Sequence, residues 1–269
     1  MEAGELIAWG CPWLAPYRAG RALLAQRQPR EALTRAAADL GVRTDGGLPI
    51  RFAPADDAGV KAYEAHIART GRVPTRENRH DLFNALAWIA FPRIKAALNS
   101  HHAACHGPAP APRSNDRSRG PARDAATLLD ENGLLLACSD PAVAEDLRAM
   151  RWHRLFVQRR GAFIESTAAL VLGHALLDKL VRPFKSICAH AWILPVGPEV
   201  IRMPAEQQWS WLDRAFAPRL AVELASPRVL APLPVLGIPG WWPRNAGAEF
   251  YQDAAVFRTC RGRQAIAPR

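Results

Sequence analysis

VPTRENRHDLFNALAWIAFPRIKAALN, residues 73–99, is the stretch whose reading decides the fold. Asn78 is a good N-cap, Asp81 suits a first helical turn, and Pro92 suits the start of a second helix, so residues 76–105 read as a helix pair. At about 100° per residue, Leu82, Phe83, Leu86, Ala87, Ile89 and Ala90 form a broad apolar face. His80, Asp81, Asn84 and Trp88 share the opposite arc. Solvated faces favour Lys, Glu and Gln, so these residue types point to a face turned toward a cleft or another element. On the second helix, Ile94, Leu98 and Cys105 form an apolar stripe and Lys95, Asn99, His102 and His106 a polar one. Two His four residues apart can bind zinc, but no acid completes the set, so the pair reads as an exposed, fraying helix end.

Outward from this pair, residues 15–40 read as one or two helices stopped by Gly41. Residues 46–54 read as loop or a short strand, and residues 57–69 as a helix ending at Gly71. GPAPAPRSNDRSRGP, residues 107–121, has nothing to bury and reads as a flexible loop or linker. Asn132-Gly133, between the apolar runs of residues 127–137, reads as a tight hairpin turn. Residues 163–181 read as a long buried helix, 187–196 as a strand, and 204–217 as a helix stopped by Pro218. PLPVLGIPGWWP, residues 232–243, cannot be helical, and residues 250–258 read as a last strand. Strands and helices do not alternate regularly, which predicts an α+β fold: a mainly helical single domain over residues 1–269, with a β-hairpin and a small, mostly antiparallel sheet.

The chain of 269 residues is 49% hydrophobic, ordinary for a globular protein with a sizeable core. Its formal net charge of +10 invites a nucleic-acid reading. The distribution weakens it. Residues 258–269 hold four Arg and no acid, and residues 107–122 hold Arg113, Arg117 and Arg119 against Asp116. Much of the excess therefore sits in the linker and in a basic, flexible tail over residues 259–269. Five scattered Cys without a CxxC predict reduced thiols in a cytoplasmic protein. The start MEAGELIAWG has no basic region, so no secretory leader is expected, and no uncharged apolar run reaches a membrane-spanning length.

If residues 163–181 form one helix, Thr167, His174 and Asp178 fall within one arc of it. A buried His and Asp one turn apart could pair, and an Asp that orients a His fixes its tautomer for base catalysis or metal ligation. A purely structural pair is the other reading. Arg123 and Asp124 are too charged to be buried unpaired.

Five runs resemble one family and occur in its order: PTRENRHDLFNALAWIAFPRIKAALN (74–99), RDAATLLDENG (123–133), GHALLDKL (173–180), PLPVLGIPGWW (232–242) and FYQDAAVFR (250–258). Together they resemble the bacterial domain of unknown function 3025. The resemblance implies no activity. It does imply which residues to suspect: Arg76, His80, Asp81, Asn84, Arg123, Asp124, His174 and Asp178.

Two functional readings follow. In the first, a polar cleft makes the protein a hydrolase-like enzyme, with a divalent metal as a possible helper. His80, Asp81, His174 and Asp178 would be its catalytic residues, and Arg76, Asn84, Arg123 and Asp124 would bind a small anionic substrate. In the second, the protein is a non-catalytic module. It would bind nucleic acid weakly through its Arg-rich tail and linker, or a protein partner through the Pro-rich segment with Trp241 and Trp242. Substrate, metal identity and oligomeric state are not legible at this level.

Overall fold

The computed structural model describes residues 7–55, 63–105 and 119–259. In chain order its elements are helices α1 (Gly20–Leu24) and α2 (Pro29–Asp39), strand β1 (Arg51–Ala53), helix α3 (Tyr63–Thr70) and strand β2 (Arg72–Pro74). Helices α4 (Arg79–Ala90), α5 (Pro92–Cys105) and α6 (Arg119–Asn132) follow, then strand β3 (Gly133–Cys138) and helix α7 (Pro141–Arg148). After a π-turn come helix α8 (Arg160–Ser166), strand β4 (Thr167–Val171), helix α9 (His174–Lys179) and strand β5 (Cys188–Pro195). Helices α10 (Pro198–Ile201), α11 (Ala205–Phe216) and α12 (Leu220–Glu223) and strand β6 (Ala231–Pro234) complete the set, followed by 3₁₀ turns. The fold is α+β and mainly helical, and no helix among the described residues is long and apolar enough to cross a membrane.

β1 and β2 pair in parallel, and the four-stranded sheet has the order β4-β3-β5-β6. β3 is its centre, antiparallel to β4 and parallel to β5, and all six of its residues are buried. β6 pairs antiparallel with β5 at the edge, where Pro232 and Pro234 are tolerated because one side of the strand needs no ladder donors. The helix pair forms as its sequence predicts. Asn78 Oδ1 accepts from the Asp81 N–H at 2.8 Å, and Pro92 opens α5. The first two free amides of α5 go to a distant carboxylate: Asp213 on α11 accepts from Arg93 N–H at 3.1 Å and Ile94 N–H at 2.9 Å.

Several expectations change. α6 runs through Asn132 directly into β3, so Asn132-Gly133 is a helix-to-strand junction and no hairpin turn. Gly133 has no positive φ; it is needed because a Cβ there would collide with the Leu129 carbonyl. The long helix over 163–181 is α8, β4 and α9 in succession. An apolar run without clear periodicity fits an internal strand as well as a buried helix, and pairing with β3 decides for the strand. Thr167, His174 and Asp178 therefore do not share one helix, and Thr167 Oγ1 donates to the Phe163 carbonyl at 2.6 Å. Residues 250–258 form a 3₁₀ turn and an irregular run. There Tyr251 donates to the Gly237 carbonyl at 2.9 Å and its ring stacks near Phe156, so side chains rather than a ladder hold the segment. Of the pair read as an exposed helix end, His102 is buried, as are Lys95 and Asn99 on the same stripe, and His106 lies outside the described residues. Trp241 and Trp242 are half-buried against the core, with Trp241 6.2 Å from Trp13 between ring centres. Residues 107–118 of the linker and 260–269 of the tail lie outside the described residues, while Arg119, Gly120 and Pro121 open α6.

One glycine positions the rest. A Cβ on Gly173 would stand 2.5 Å from the Glu131 carbonyl and 2.5 Å from the Gly133 amide, so only glycine lets the start of α9 close on the end of α6. Gly173→Ala is expected to cost about 2 kcal/mol or more through this overlap. Gly161→Ala, where a Cβ meets open space within α8, should be neutral or stabilising by about 0.5–1 kcal/mol. Chemical denaturation of both variants checks the contrast.

Candidate functional site

Three elements converge where α9 meets α6. α4 supplies His80 from its second position, α6 supplies Glu131 from its last turn, and α9 supplies His174 as its first residue. One donor atom from each lies within 4.8 Å of the others. His174 Nε2 is 3.5 Å from Glu131 Oε2, and the rings of His80 and His174 meet edge to face at 4.5 Å. Donors bound to one ion at about 2.1 Å in a tetrahedron stand about 3.4 Å apart. The His174–Glu131 spacing already matches that.

Behind this trio is a buried charge pair. Lys95 on α5 is 3% exposed and forms an ion pair with Asp130. Its ammonium also donates to Asn84 Oδ1 at 2.8 Å and lies 5.7 Å from the centre of the Trp88 ring. Asn84 Nδ2 in turn donates to the Tyr63 hydroxyl at 3.2 Å. Asp130 Oδ2 stands 3.9 Å from His174 Nδ1, a buried nitrogen with no hydrogen-bond partner. That nitrogen lies on the side of a fixed carboxylate, beyond hydrogen-bond distance, while Nε2 faces Glu131.

The electrostatics follow from position. Asp130 and Glu131 occupy the C-terminal turn of α6, where the helix dipole disfavours acids and favours cations. Burial would push the Asp130 carboxyl up, but the adjacent Lys95 and His174 outweigh it and hold the group below its usual range. Glu131 is raised by burial and by the charge of Asp130. Burial drives His174 down to about 4, with Asp130 opposing only in part. The imidazole is thus neutral near pH 7, with a lone pair free to ligate.

The other suspected residues take distinct places. Asp81 is buried and bound to Arg76, accepting from its amide at 2.8 Å, its Nε at 3.0 Å and its Nη2 at 3.2 Å. Asp178 forms an ion pair with Arg79 on α4 and does not orient His174. Asn84 belongs to the Lys95 network. Arg123 and Asp124 are about half-exposed and 3.9 Å apart. Arg123 lines a cleft of about 450 Å³ whose wall also includes Asp130 and Glu131. The structure thus brings His80 and His174 together and sets Asp81 and Asp178 in ion pairs of their own.

Glu131, Asp130, Lys95 and Tyr63 escaped the sequence reading. The first two directly precede Asn132-Gly133, whose reading as a hairpin turn gives them no helix face. The available signal was two consecutive acids at what is a helix C-terminus, a placement that calls for cations nearby. Lys95 lies on the polar stripe of α5, and nothing local in the sequence marks it as the buried partner of Asp130.

The fold and the site define an α+β protein with a cluster of two histidines and one carboxylate beside a buried Lys–Asp pair. The chain belongs to the family described as protein of unknown function (DUF3025), whose model matches residues 50–261, a span that contains every residue of the cluster. No curated protein and no solved structure matches the chain.

Two measurements test the electrostatic description. Lys95→Met leaves Asp130 as an uncompensated buried charge and is expected to destabilise by about 3–5 kcal/mol. Adding Asp130→Leu should recover a large part of that in urea titrations. For His174, the unfolded ring takes its proton at 6.5 and the folded ring only at about 4. The unfolded chain binds more protons in that window. Stability is therefore complete above about pH 6.5 and falls as pH drops toward 4, by about 3 kcal/mol in all. His174→Asn should flatten this slope, which melts from pH 4 to 8 would show.

Proposed function

We propose that the protein is a metal-assisted hydrolase acting on an anionic substrate, with His80, Glu131 and His174 as the metal ligands. The observation that carries this reading is the convergence of those three donors from α4, α6 and α9 within 4.8 Å. Two imidazoles and one carboxylate suit zinc and other borderline divalent ions, and three protein ligands leave a position for water. The neutral state of His174 and the acidic C-terminal turn of α6 both favour a cation there. An ion held by His80, Glu131 and His174 would lower the pKa of a water in its open position toward neutrality and so supply the nucleophile for hydrolysis. Asp130, held by Lys95, places a negative charge 3.9 Å from His174 Nδ1, which favours a proton on that nitrogen and leaves Nε2 as the donor. Arg123 is the cation best placed for an anionic group, since Arg76 is committed to Asp81.

Elemental analysis of protein purified without chelator, with calorimetric titration of zinc and manganese, tests the site. About one equivalent of metal is expected. His80→Ala, Glu131→Gln and His174→Ala should each weaken binding by at least about 10-fold while remaining folded. Asp81→Asn and Asp178→Asn should leave metal affinity nearly unchanged. A screen of esters and amides should then find a turnover that a chelator abolishes. Metal affinity that none of the three ligand variants alters would end this reading, and so would oxidative rather than hydrolytic turnover.

A further inference from the structure

A groove of about 610 Å³ opens where α2 meets the two-stranded sheet, and it shares no residue with the His80–Glu131–His174 cluster. Arg35 from α2, Arg51 from β1 and Arg72 from β2 line it against one carboxylate, Glu31 of α2. The strand register sets two of these cations side by side. β1 and β2 pair in parallel with Arg51 opposite Arg72, and the next pair, Phe52 and Val73, is buried. The period of two therefore turns both arginines outward on one face, on strands about 4.8 Å apart.

Like charges in facing positions repel, and an acid beside them would relieve the repulsion. Among the described residues no carboxylate forms an ion pair with Arg35, Arg51 or Arg72. Glu31, one turn before Arg35 on α2, does not pair with it, and Arg35 donates only to the neutral Gln26 Oε1, at 3.1 Å. The hydroxyls of the groove are already used. Thr34 Oγ1 accepts from the Phe52 N–H at 3.0 Å, and Thr70 Oγ1 accepts from the Arg72 N–H at 3.1 Å. These bonds brace β1 on α2 and β2 on the end of α3, so the guanidiniums are what the groove offers to a ligand.

We infer that this groove binds the diphosphate chain of a small molecule, with Arg51 and Arg72 each holding one phosphoryl group and Arg35 closing on the chain from α2. A planar guanidinium suits phosphate oxygens through paired hydrogen bonds, and two adjacent phosphoryl groups match two adjacent cations. The anion removes the repulsion between Arg51 and Arg72 that the strand register imposes. A nucleoside diphosphate and inorganic pyrophosphate share this chemistry, and the groove is of a size for either. A nucleic-acid strand fits less well, because Phe52, the aromatic residue of the wall, is 5% exposed and offers no ring for a base to stack on. The inference is independent of the metal-site reading above.

Calorimetric titration of the full-length protein with pyrophosphate, orthophosphate, adenosine diphosphate and a short oligothymidylate tests this. Pyrophosphate should bind about 10-fold or more tightly than orthophosphate, and Arg51→Gln or Arg72→Gln should each remove about that factor. His174→Ala, which alters the other site, should leave pyrophosphate affinity as it is. Adenosine diphosphate binding tighter than pyrophosphate identifies a nucleotide, and equal affinity identifies the phosphate chain alone. Melting curves give a second readout that a purely structural arginine would not produce. Without ligand, Arg72→Gln should melt at or above the temperature of the unaltered protein, because one of two facing cations is gone. With pyrophosphate it should lack the upward shift that the unaltered protein shows. Equal affinity for the two phosphates, or pyrophosphate binding that survives Arg51→Gln/Arg72→Gln together, would overturn the inference. So would loss of binding in His174→Ala, which would place the anion at the histidine cluster, or oligothymidylate binding tightest through the same arginines, which would give the groove to nucleic acid.

Discussion

The buried pair between Lys95 and Asp130 is the constraint on which the site depends. Two acids close α6, at the end of a helix where carbonyl dipoles already make the potential negative. Burying Asp130 there without a cation would be prohibitive. Lys95 supplies that cation from α5, and its other contacts, to Asn84 and Trp88, tie the same ammonium to α4. A single buried charge thus fixes the relative placement of α4, α5 and α6. Those are two of the three elements that carry the histidine–carboxylate cluster and the helix that braces them. The pair is no source of net stability in itself, since desolvation offsets most of its attraction. Its effect is to make one arrangement of these helices far better than any other.

The third element, α9, is placed by backbone approach. Gly173 and Leu172 both donate to the Gly133 carbonyl, at 2.9 and 3.0 Å, so the chain leaving β4 is bonded to the chain leaving α6. His174 follows at once and enters the space between Glu131 and His80. Its burial in turn keeps the ring neutral, so the same packing that positions the donor also sets its protonation. Sheet pairing between β3 and β4 holds this junction, and β3 is buried along its whole length.

What was legible in the sequence follows from how local each signal is. The α4–α5 pair was readable because its cap, its proline and its apolar face all lie within a few residues of one another. The stop of α3 at Gly71, with φ +67, and the strand near residues 187–196 were readable for the same reason. The chain over 163–181 was not, because strand and buried helix are equally apolar and only pairing with β3, about 35 residues upstream, separates them. Reading Asn132-Gly133 as a turn was reasonable from composition, yet that glycine is there for close packing on Leu129. This one error hid Glu131, since a turn residue has no helix face and points to no partner.

The site residues divide along the same line. His80 and His174 stood out because histidine is rare on a helix face built for burial, and a rare type in a buried setting is a local signal. Asp81 and Asp178 stood out too, yet each closes an ion pair, with Arg76 and Arg79. Both pairs secure α4, one at its entry and the other through α9, and so they hold the element that carries His80. A carboxylate next to a histidine in sequence was therefore a guide to the neighbourhood and not to the partner. The carboxylate that meets both histidines comes from α6, more than 40 residues from either, and only the tertiary fold brings the three together. Side chains drawn from three separately braced elements cannot relax toward or away from one another cheaply, so the packing of α4, α6 and α9 fixes the spacing of the two imidazoles and the carboxylate.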